Sequence, residues 1–586
     1  ASHAVPRGPF PSVASAPRAV GRGMQFATPG ENQPPMVAHA PKHAPEALLH
    51  AAPPAYRAPQ SAVRGTQTVT VNSTNETGLN PWWTMVTDEI AGLGSFNVNV
   101  DAGKNLLLQS TDLVYGHRWT PVTFQRSYNS LSQHDYANTD GSLASSFGNG
   151  WTNTFDAHIA LNTGANGTYG ITVFDGDGAR YDYLPTDSTG NTLTAPLGQR
   201  ANLAPDAQKC YYYWTKKNGL TYQFKTPQTT VGKPCFVSST FKAQAGRLFH
   251  VYGRNQHAQL GLSYSWSPSS ASAANLTQIQ VVADGVTTAA TMTFSDTPAC
   301  GGTQMRLMSS LQWADGTRVS YRYDCNGNLV EVDKPLPSQA TCQASTSSAR
   351  AVNCAVQRYA YGSGSFMTAA AGPRWSNSLS NTADLSTGSD GSYVSFTQAP
   401  GSNGVSAATF AGVMNPSVPD GVTNSGMYQA HPSVGSSVIT YRVEHYDNTT
   451  PNAATTVWDS DGHKTVYSYD GYGEVLSAQR TTNWSTGATI TSSQGWDANR
   501  NMTSTSDFRG NVTNYAFDAR GNMIASAMPS VATVVNGSST SIRPTMLAAY
   551  DSNNNLTAMC DPAFVATKGW NWDGVSAPQP CPATIG

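Results

Sequence analysis

Gly510-Asn511-Val512-Thr513-Asn514-Tyr515-Ala516-Phe517-Asp518-Ala519-Arg520-Gly521-Asn522-Met523 is the stretch that decides the fold. Side chains alternate along a strand, so Thr513, Tyr515 and Phe517 share one face and Val512, Asn514 and Ala516 the other. Asp, Gly and Asn follow, residues that bond their own backbone and accept left-handed dihedrals. Met523 opens a second short apolar run. Strand, turn, strand reads as a β-hairpin.

The unit recurs. Tyr323-Asp324-Cys325-Asn326-Gly327-Asn328-Leu329, Trp496-Asp497-Ala498-Asn499-Arg500-Asn501-Met502 and Tyr550-Asp551-Ser552-Asn553-Asn554-Asn555-Leu556 match Phe517-Asp518-Ala519-Arg520-Gly521-Asn522-Met523. A looser copy is Tyr469-Asp470-Gly471-Tyr472-Gly473-Glu474-Val475. Trp496 and Phe517 lie 21 residues apart, a spacing that points to stacked supersecondary units. A lone hairpin is marginal in water, and repetition lets neighbours pair edge to edge. The expected fold is all-β: repeated hairpins in a large, continuous sheet.

Composition agrees. The 586 residues are 12% charged with a formal net charge of −2, which gives no electrostatic footprint for nucleic acid. No apolar run approaches the roughly 18 residues of a membrane-spanning helix. Eight cysteines, Cys210, Cys235, Cys300, Cys325, Cys342, Cys354, Cys560 and Cys581, include no Cys-x-x-Cys pair. Pairing of consecutive cysteines would close four local loops, and disulfides imply an oxidising compartment. Sequence alone leaves the connectivity open.

Four regions are expected. Residues 1–70 are a Pro/Ala-rich arm, exemplified by Ala51-Ala52-Pro53-Pro54-Ala55, without the apolar content for a core. Residues 71–184 are a β domain with an aromatic anchor at Asn80-Pro81-Trp82-Trp83. Residues 185–310 are a β-rich strand-and-loop insertion, and 311–586 carry the repeats with a further insertion near 336–445.

The N-terminal segments carry a resemblance. Asn105-Leu106-Leu107-Leu108-Gln109-Ser110-Thr111-Asp112-Leu113, Arg126-Ser127-Tyr128-Asn129-Ser130 and Phe147-Gly148-Asn149-Gly150-Trp151-Thr152-Asn153-Thr154-Phe155-Asp156 occur in that order. Together with the downstream Tyr-Asp copies, they resemble bacterial Rhs proteins, the YD-repeat family, over roughly residues 95–560. Rhs-like proteins resemble teneurins and toxin-complex shell proteins in building a spiral sheet that closes into a hollow cocoon. The resemblance implies encapsulation, in many members of a C-terminal toxin released by a glycine-rich Asp-Pro autoprotease core. Cys560-Asp561-Pro562 has the dipeptide without the glycines, and no toxin-like domain follows. About five repeats are recognisable, so the expectation is that another chain, or further copies of this one, cover free sheet edges.

Catalytic motifs are missing: there is no Gly-x-Ser-x-Gly, His-Glu-x-x-His or phosphate loop. Asp175-Gly176-Asp177-Gly178 and Asp459-Ser460-Asp461-Gly462 lack the third acid and distal Glu of a calcium loop and read as turns. His39 and His43 stand in a Pro-rich context that forbids the helix needed to converge them on a metal. The aromatics could stack on sugars, but cross-hairpin ladders explain them without a ligand. No catalytic, cofactor or metal residue is assigned. Tyr323, Asp324, Gly327, Asn328, Tyr469, Asp470, Trp496, Asp497, Asn501, Phe517, Asp518, Gly521, Asn522, Tyr550, Asp551 and Asn555 are assigned to turns and stacking. The expected function is a secreted or cell-surface, non-enzymatic shell or scaffold that had an N-terminal leader; the resemblance implies an enclosed toxin. A self-assembling fibre or adhesin built by edge pairing is the alternative.

Overall fold

The computed structural model describes residues 78–582 and a short strand at Gln25–Phe26, leaving out internal segments such as 133–145, 228–244, 343–353, 413–427 and 431–439. The described chain is almost entirely β, and every strand pairing is antiparallel. The expected all-β class and hairpin repetition hold.

Three sheets follow one another along the chain. The first has six strands in sequence order, from Gln25–Phe26 through Leu106–Tyr115 and Val122–Asn129 to Trp151–Asn153. The second has four, from His158–Thr163 to Leu193–Thr194. The third runs to 25 strands, from Asn202–Pro205 to Leu556–Cys560. In this sheet, chain order is spatial order almost throughout. The exceptions are Val405–Gly412 and Tyr428–Ala430, which both pair with Thr440–Thr450, and the hairpin Val531–Val535/Ser538–Ile542, which stands outside the sheet.

Strict succession is the signature of hairpins laid edge to edge. Alternation shows in burial: Lys464–Tyr469 and Tyr211–Thr215 bury every second residue. The span 185–310 supplies consecutive rungs of the long sheet, from Asn202–Pro205 to Thr287–Asp296. Hairpins therefore outnumber motif copies, and a count of Tyr-Asp motifs underestimates the sheet.

One apolar cluster runs through all three sheets, from Val86 and Phe96 through Ile171 and Trp214 to Tyr467 and Ala478. Phe96 of the first sheet stacks on Phe396 of the long sheet, with centroids 5.8 Å apart. A separate cluster closes the far end, where helix Pro562–Thr567 and Trp572 cover Ala525, Leu547 and Cys560. Asp561 caps that helix by accepting the Phe564 N–H at 2.8 Å.

Candidate functional site

The repeat loops share one geometry. In the Asp518 loop, Oδ1 accepts the N–H groups of Arg520 at 2.9 Å and Asn522 at 2.7 Å, while Oδ2 accepts Asn522 Nδ2 at 2.8 Å. The Asp518 carbonyl takes the Gly521 N–H at 2.8 Å, and the Asp518 N–H donates to the Asn522 carbonyl at 2.9 Å. Loops at Asp324, Asp497 and Asp551 repeat the set with Asn328, Asn501 and Asn555. The fourth loop residue has positive φ in each: Gly327 81°, Arg500 62°, Gly521 72° and Asn554 63°. Side-chain oxygens thus replace the ladder partners that the turning backbone loses.

An aromatic and an aliphatic residue close each loop across the hairpin: Tyr323 with Leu329, Tyr469 with Val475, Trp496 with Met502, Phe517 with Met523, Tyr550 with Leu556. The ladder pairing slips by one residue at the aromatic every time, a bulge that sharpens local twist. Some aromatics also tie hairpin to hairpin. Trp496 Nε1 donates to the Val475 carbonyl at 2.9 Å, and the Tyr323 hydroxyl to that of Met308 at 2.7 Å.

A sixth loop was missed. Asp507 Oδ1 accepts the N–H groups of Arg509 and Asn511, and Oδ2 accepts Asn511 Nδ2, each at 2.8 Å. Its signal, Asp-x-x-Gly-Asn, stands in Asp507-Phe508-Arg509-Gly510-Asn511; only the preceding aromatic is absent.

Residues from earlier in the chain meet these loops. Asn149 Nδ2 donates to the Asn326 carbonyl at 2.8 Å and to Asn328 Oδ1 at 3.0 Å. Arg200 Nη2 donates to the Asn499 carbonyl and to Asn501 Oδ1. Trp83 pairs as an isolated bridge with Glu474. Further along, Arg520 donates to the Asp551 carbonyl, and Asn522 Nδ2 to Asn554 Oδ1 at 3.1 Å. The loops are thus docking points for the first half of the chain and for one another.

The second feature is a buried ion pair assembled from the same N-terminal segments. Arg126 Nε and Nη2 grip Asp112 Oδ2 and Oδ1 at 2.6 and 2.9 Å, with both side chains fully buried. Long-sheet residues complete it. Tyr321 donates to Asp112 at 2.7 Å, Lys334 Nζ lies 2.9 Å from Asp112, and Gln357 Oε1 accepts from Arg126 at 2.7 Å. The guanidinium stands 5.1 Å from the Trp151 ring centroid, a cation–π contact. Burial opposes ionisation of Asp112, yet Arg126 and Lys334 outweigh it and hold the carboxyl down at about 2. The arrangement is a staple between two sheets, with its hydrogen-bonding atoms turned on each other.

The Asp175–Gly178 turn is likewise self-contained. Asp175 binds Lys216 Nζ at 2.7 Å, and Asp177 accepts the N–H groups of Ala179 and Leu79 at 2.9 and 3.0 Å. Among the described residues, no group of His, Cys, Asp and Glu could hold a metal ion. Residues 39, 43 and 459–462 lie outside the described residues.

Disulfides join Cys342 to Cys354 and Cys560 to Cys581, with Cα separations of 5.6 and 5.8 Å. Both match consecutive pairing. Cys210 and Cys325 are disulfide-bonded too; Cys235 and Cys300 lie outside the described residues. No helix among the described residues is long and apolar enough to cross a membrane.

Residues 97–183 match a family described as a domain of unknown function (DUF6531). This span contains both members of the buried ion pair and the Phe147–Trp151 loop. No curated protein matches the chain. Among solved structures, it is similar to the one titled "Crystal Structure of TcdB2-TccC3-Cdc42", with a TM-score of 0.33 and 9% identity over 78% of this chain and 26% of that one. It is also similar to the TcdB2-TccC3 crystal structure, with a TM-score of 0.33 and 10% identity over 79% of this chain. The chain spans only 22% of that second structure's chain.

Proposed function

We propose that this chain is an exported YD-repeat protein of the Rhs type that works as a non-catalytic wall or scaffold. One observation carries the reading: a single sheet of 25 strands, laid down in chain order, two of whose Asp loops hold Asn149 and Arg200 from earlier in the chain. Such a sheet has curvature built in, because strands twist and each repeat adds a bulge. The Asn105–Leu113, Arg126–Ser130 and Phe147–Asp156 segments support the family, and the disulfides support an oxidising destination. In this reading the partners are a protein cargo, toxin-like in the family's manner, and a second chain or copy along the sheet edges.

Electron microscopy of the purified protein tests it. A hollow particle, or an open shell segment with a wall one sheet thick, is expected. A filled globular body without a lumen overturns it.

A second reading, edge-to-edge assembly into a fibre, is favoured by the protruding hairpin Val531–Val535/Ser538–Ile542. Its residues carry no charge, and Val531 and Val534 are 46% and 68% exposed. Proteins that avoid strand addition normally charge or bend such edges. The same images decide, since filaments would favour it.

A further inference from the structure

Two repeat loops break the pattern, and the two departures touch. The fifth loop position is Asn at 328, 501, 511, 522 and 555, where Nδ2 donates to the loop's own Asp Oδ2. In the Asp470 loop that position is Glu474. Its N–H still donates to Asp470 Oδ1 at 3.0 Å, and its carboxyl lies within hydrogen-bond reach of the Asp470 carboxyl. An amide carries the donor this bond requires, whereas a carboxyl carries it only when protonated.

The fourth position of the next loop departs as well, with Arg500 where others have Gly or Asn. Its left-handed backbone sends the side chain back to the preceding repeat, Nη1 to Glu474 Oε1 at 3.0 Å, with both side chains 6% exposed. The Arg500 guanidinium lies 3.8 Å from the Tyr472 ring centroid and 5.8 Å from that of Trp82. Trp82 rests on Gly198, where a Cβ would fall 2.5 Å from the ring. Trp83 is buried, pairs by its backbone with Glu474, and is held in a tight turn by its N–H to the Asn80 carbonyl at 3.1 Å. Glu474 is therefore bonded at once to its own loop, to the next repeat and to the N-terminal Trp pair.

We propose that Glu474 keeps a proton while its loop is closed, donating it toward the Asp470 carboxylate, and that this proton latches the Trp82–Trp83 segment onto the repeat sheet. With the proton in place, Glu474 makes the bond that Asn makes elsewhere, and the loop is closed. Without it, the buried Glu474 carboxylate faces the half-buried Asp470 carboxylate, the loop opens, and the seat of Trp83 is lost.

The surrounding charges set where the latch trips. Burial is the main cause raising the Glu474 carboxyl, and Asp470 adds to it; Arg500 works the other way, and the group comes to about 7. Arg200 and Asp497 lie one loop further, and Asn80, Trp82 and Trp83 bring no charge. The sign follows from linkage. A carboxyl raised in the closed state favours closure fully below its ordinary value near 4.5, and that advantage is lost as pH rises through about 7. The latch holds in mildly acidic surroundings and releases in mildly alkaline ones.

Hydrogen exchange followed by mass spectrometry on the full chain tests this. Peptides spanning 80–86 and 469–477 are compared at pH 5.5 and pH 8, corrected for intrinsic exchange. Protection is expected to fall roughly tenfold or more at the higher pH. Glu474→Gln supplies a permanent donor and is expected to stay protected at both. Arg500→Met removes the counter-charge and is expected to move the transition to higher pH. Equal wild-type protection at both pH values overturns the latch, as does a pH difference that persists in Glu474→Gln or a midpoint unmoved in Arg500→Met.

Discussion

Arg126 Nε donates to Asp112 Oδ2 at 2.6 Å in a place that water does not reach, and the two residues come from adjacent strands of the first sheet. Tyr321, Lys334, Gln357 and Tyr359, all on the long sheet, bind the same pair. The contact that orders the N-terminal sheet is thus also what fixes it to the repeats.

Breaking this pair is expected to be costly. Asp112→Asn leaves a buried guanidinium without its counter-charge, and about 3–5 kcal/mol of stability is expected to go. Asp112→Leu/Arg126→Met, which removes both charges, is expected to cost less than the sum of the single changes. Urea unfolding of the four proteins measures this; additive losses would refute the coupling. The pH dependence has a definite sign. A carboxyl held down at about 2 contributes stability above its ordinary 3.8, and that stability is lost as pH falls through about 2.

The Asp loops offer a cleaner local test. Asp518→Ala removes four acceptor bonds at once, to the N–H groups of Arg520 and Asn522, to Asn522 Nδ2 and to Arg520 Nη2. A loss of about 1–3 kcal/mol is expected, since Asn522 is fully buried and its backbone N–H would be orphaned, while its Nδ2 keeps Asn554. The exposed Asp507 loop makes the two backbone bonds and the Asn bond beside water, so Asp507→Ala is expected to cost less. Thermal unfolding compares the two. Equal losses would mean that the bonds, rather than the burial of the orphaned groups, set the cost.

How much of this was legible depended on range. The loops were readable because an Asp that bonds its own next four residues writes its geometry into five consecutive letters. The Asp507 loop is less visible because Ser506 stands where the other copies have an aromatic, which helps close the hairpin but is not needed for the turn. The region between 202 and 296 reads only as β-rich strands and loops, without countable units, because hairpins can turn without the Asp motif, as at Lys216, whose carbonyl takes the Gly219 N–H at 2.9 Å. Asp112 and Arg126 both stand in the segments that carry the family resemblance. Their pairing with residues more than 200 positions away needed the sheet to be folded first. Glu474 and Arg500 were visible as departures from the repeat, but only the left-handed backbone at Arg500 shows that one departure answers the other.

The Cys560–Cys581 disulfide ties the last strand to the cap formed by Val565 and Trp572. Its closed loop is short, and loop-closure entropy gives about 3 kcal/mol for that length. Cys560→Ser/Cys581→Ser is expected to make residues after 560 sensitive to limited proteolysis at protease levels that spare the wild type. Trp572 keeps its N–H bond to Thr545 Oγ1 at 3.0 Å, so the cap is expected to loosen rather than leave. A cleavage pattern identical to the wild type would show that packing alone holds the cap.

Gly246 sets the junction between the four-strand sheet and the long sheet. Its carbonyl accepts the Ile159 N–H at 2.9 Å, and His158 pairs with Arg247 beside it. Its φ is 72°, and a Cβ there would collide with the Ile159 carbonyl oxygen. Side chains are strained in that backbone region, and the clash is with main chain, which has little room to give. Gly246→Ala is therefore expected to separate the sheets locally rather than be absorbed by a rotamer change. The seam carries its own reporter, because the His158 imidazole stacks on Phe174 with centroids 4.5 Å apart, and burial holds it down at about 4. Opening the seam would let water in and return His158 toward its ordinary value of 6.5. NMR titration of the His158 ring in wild type and Gly246→Ala reads this directly, and an unchanged titration would show that the junction does not depend on the glycine.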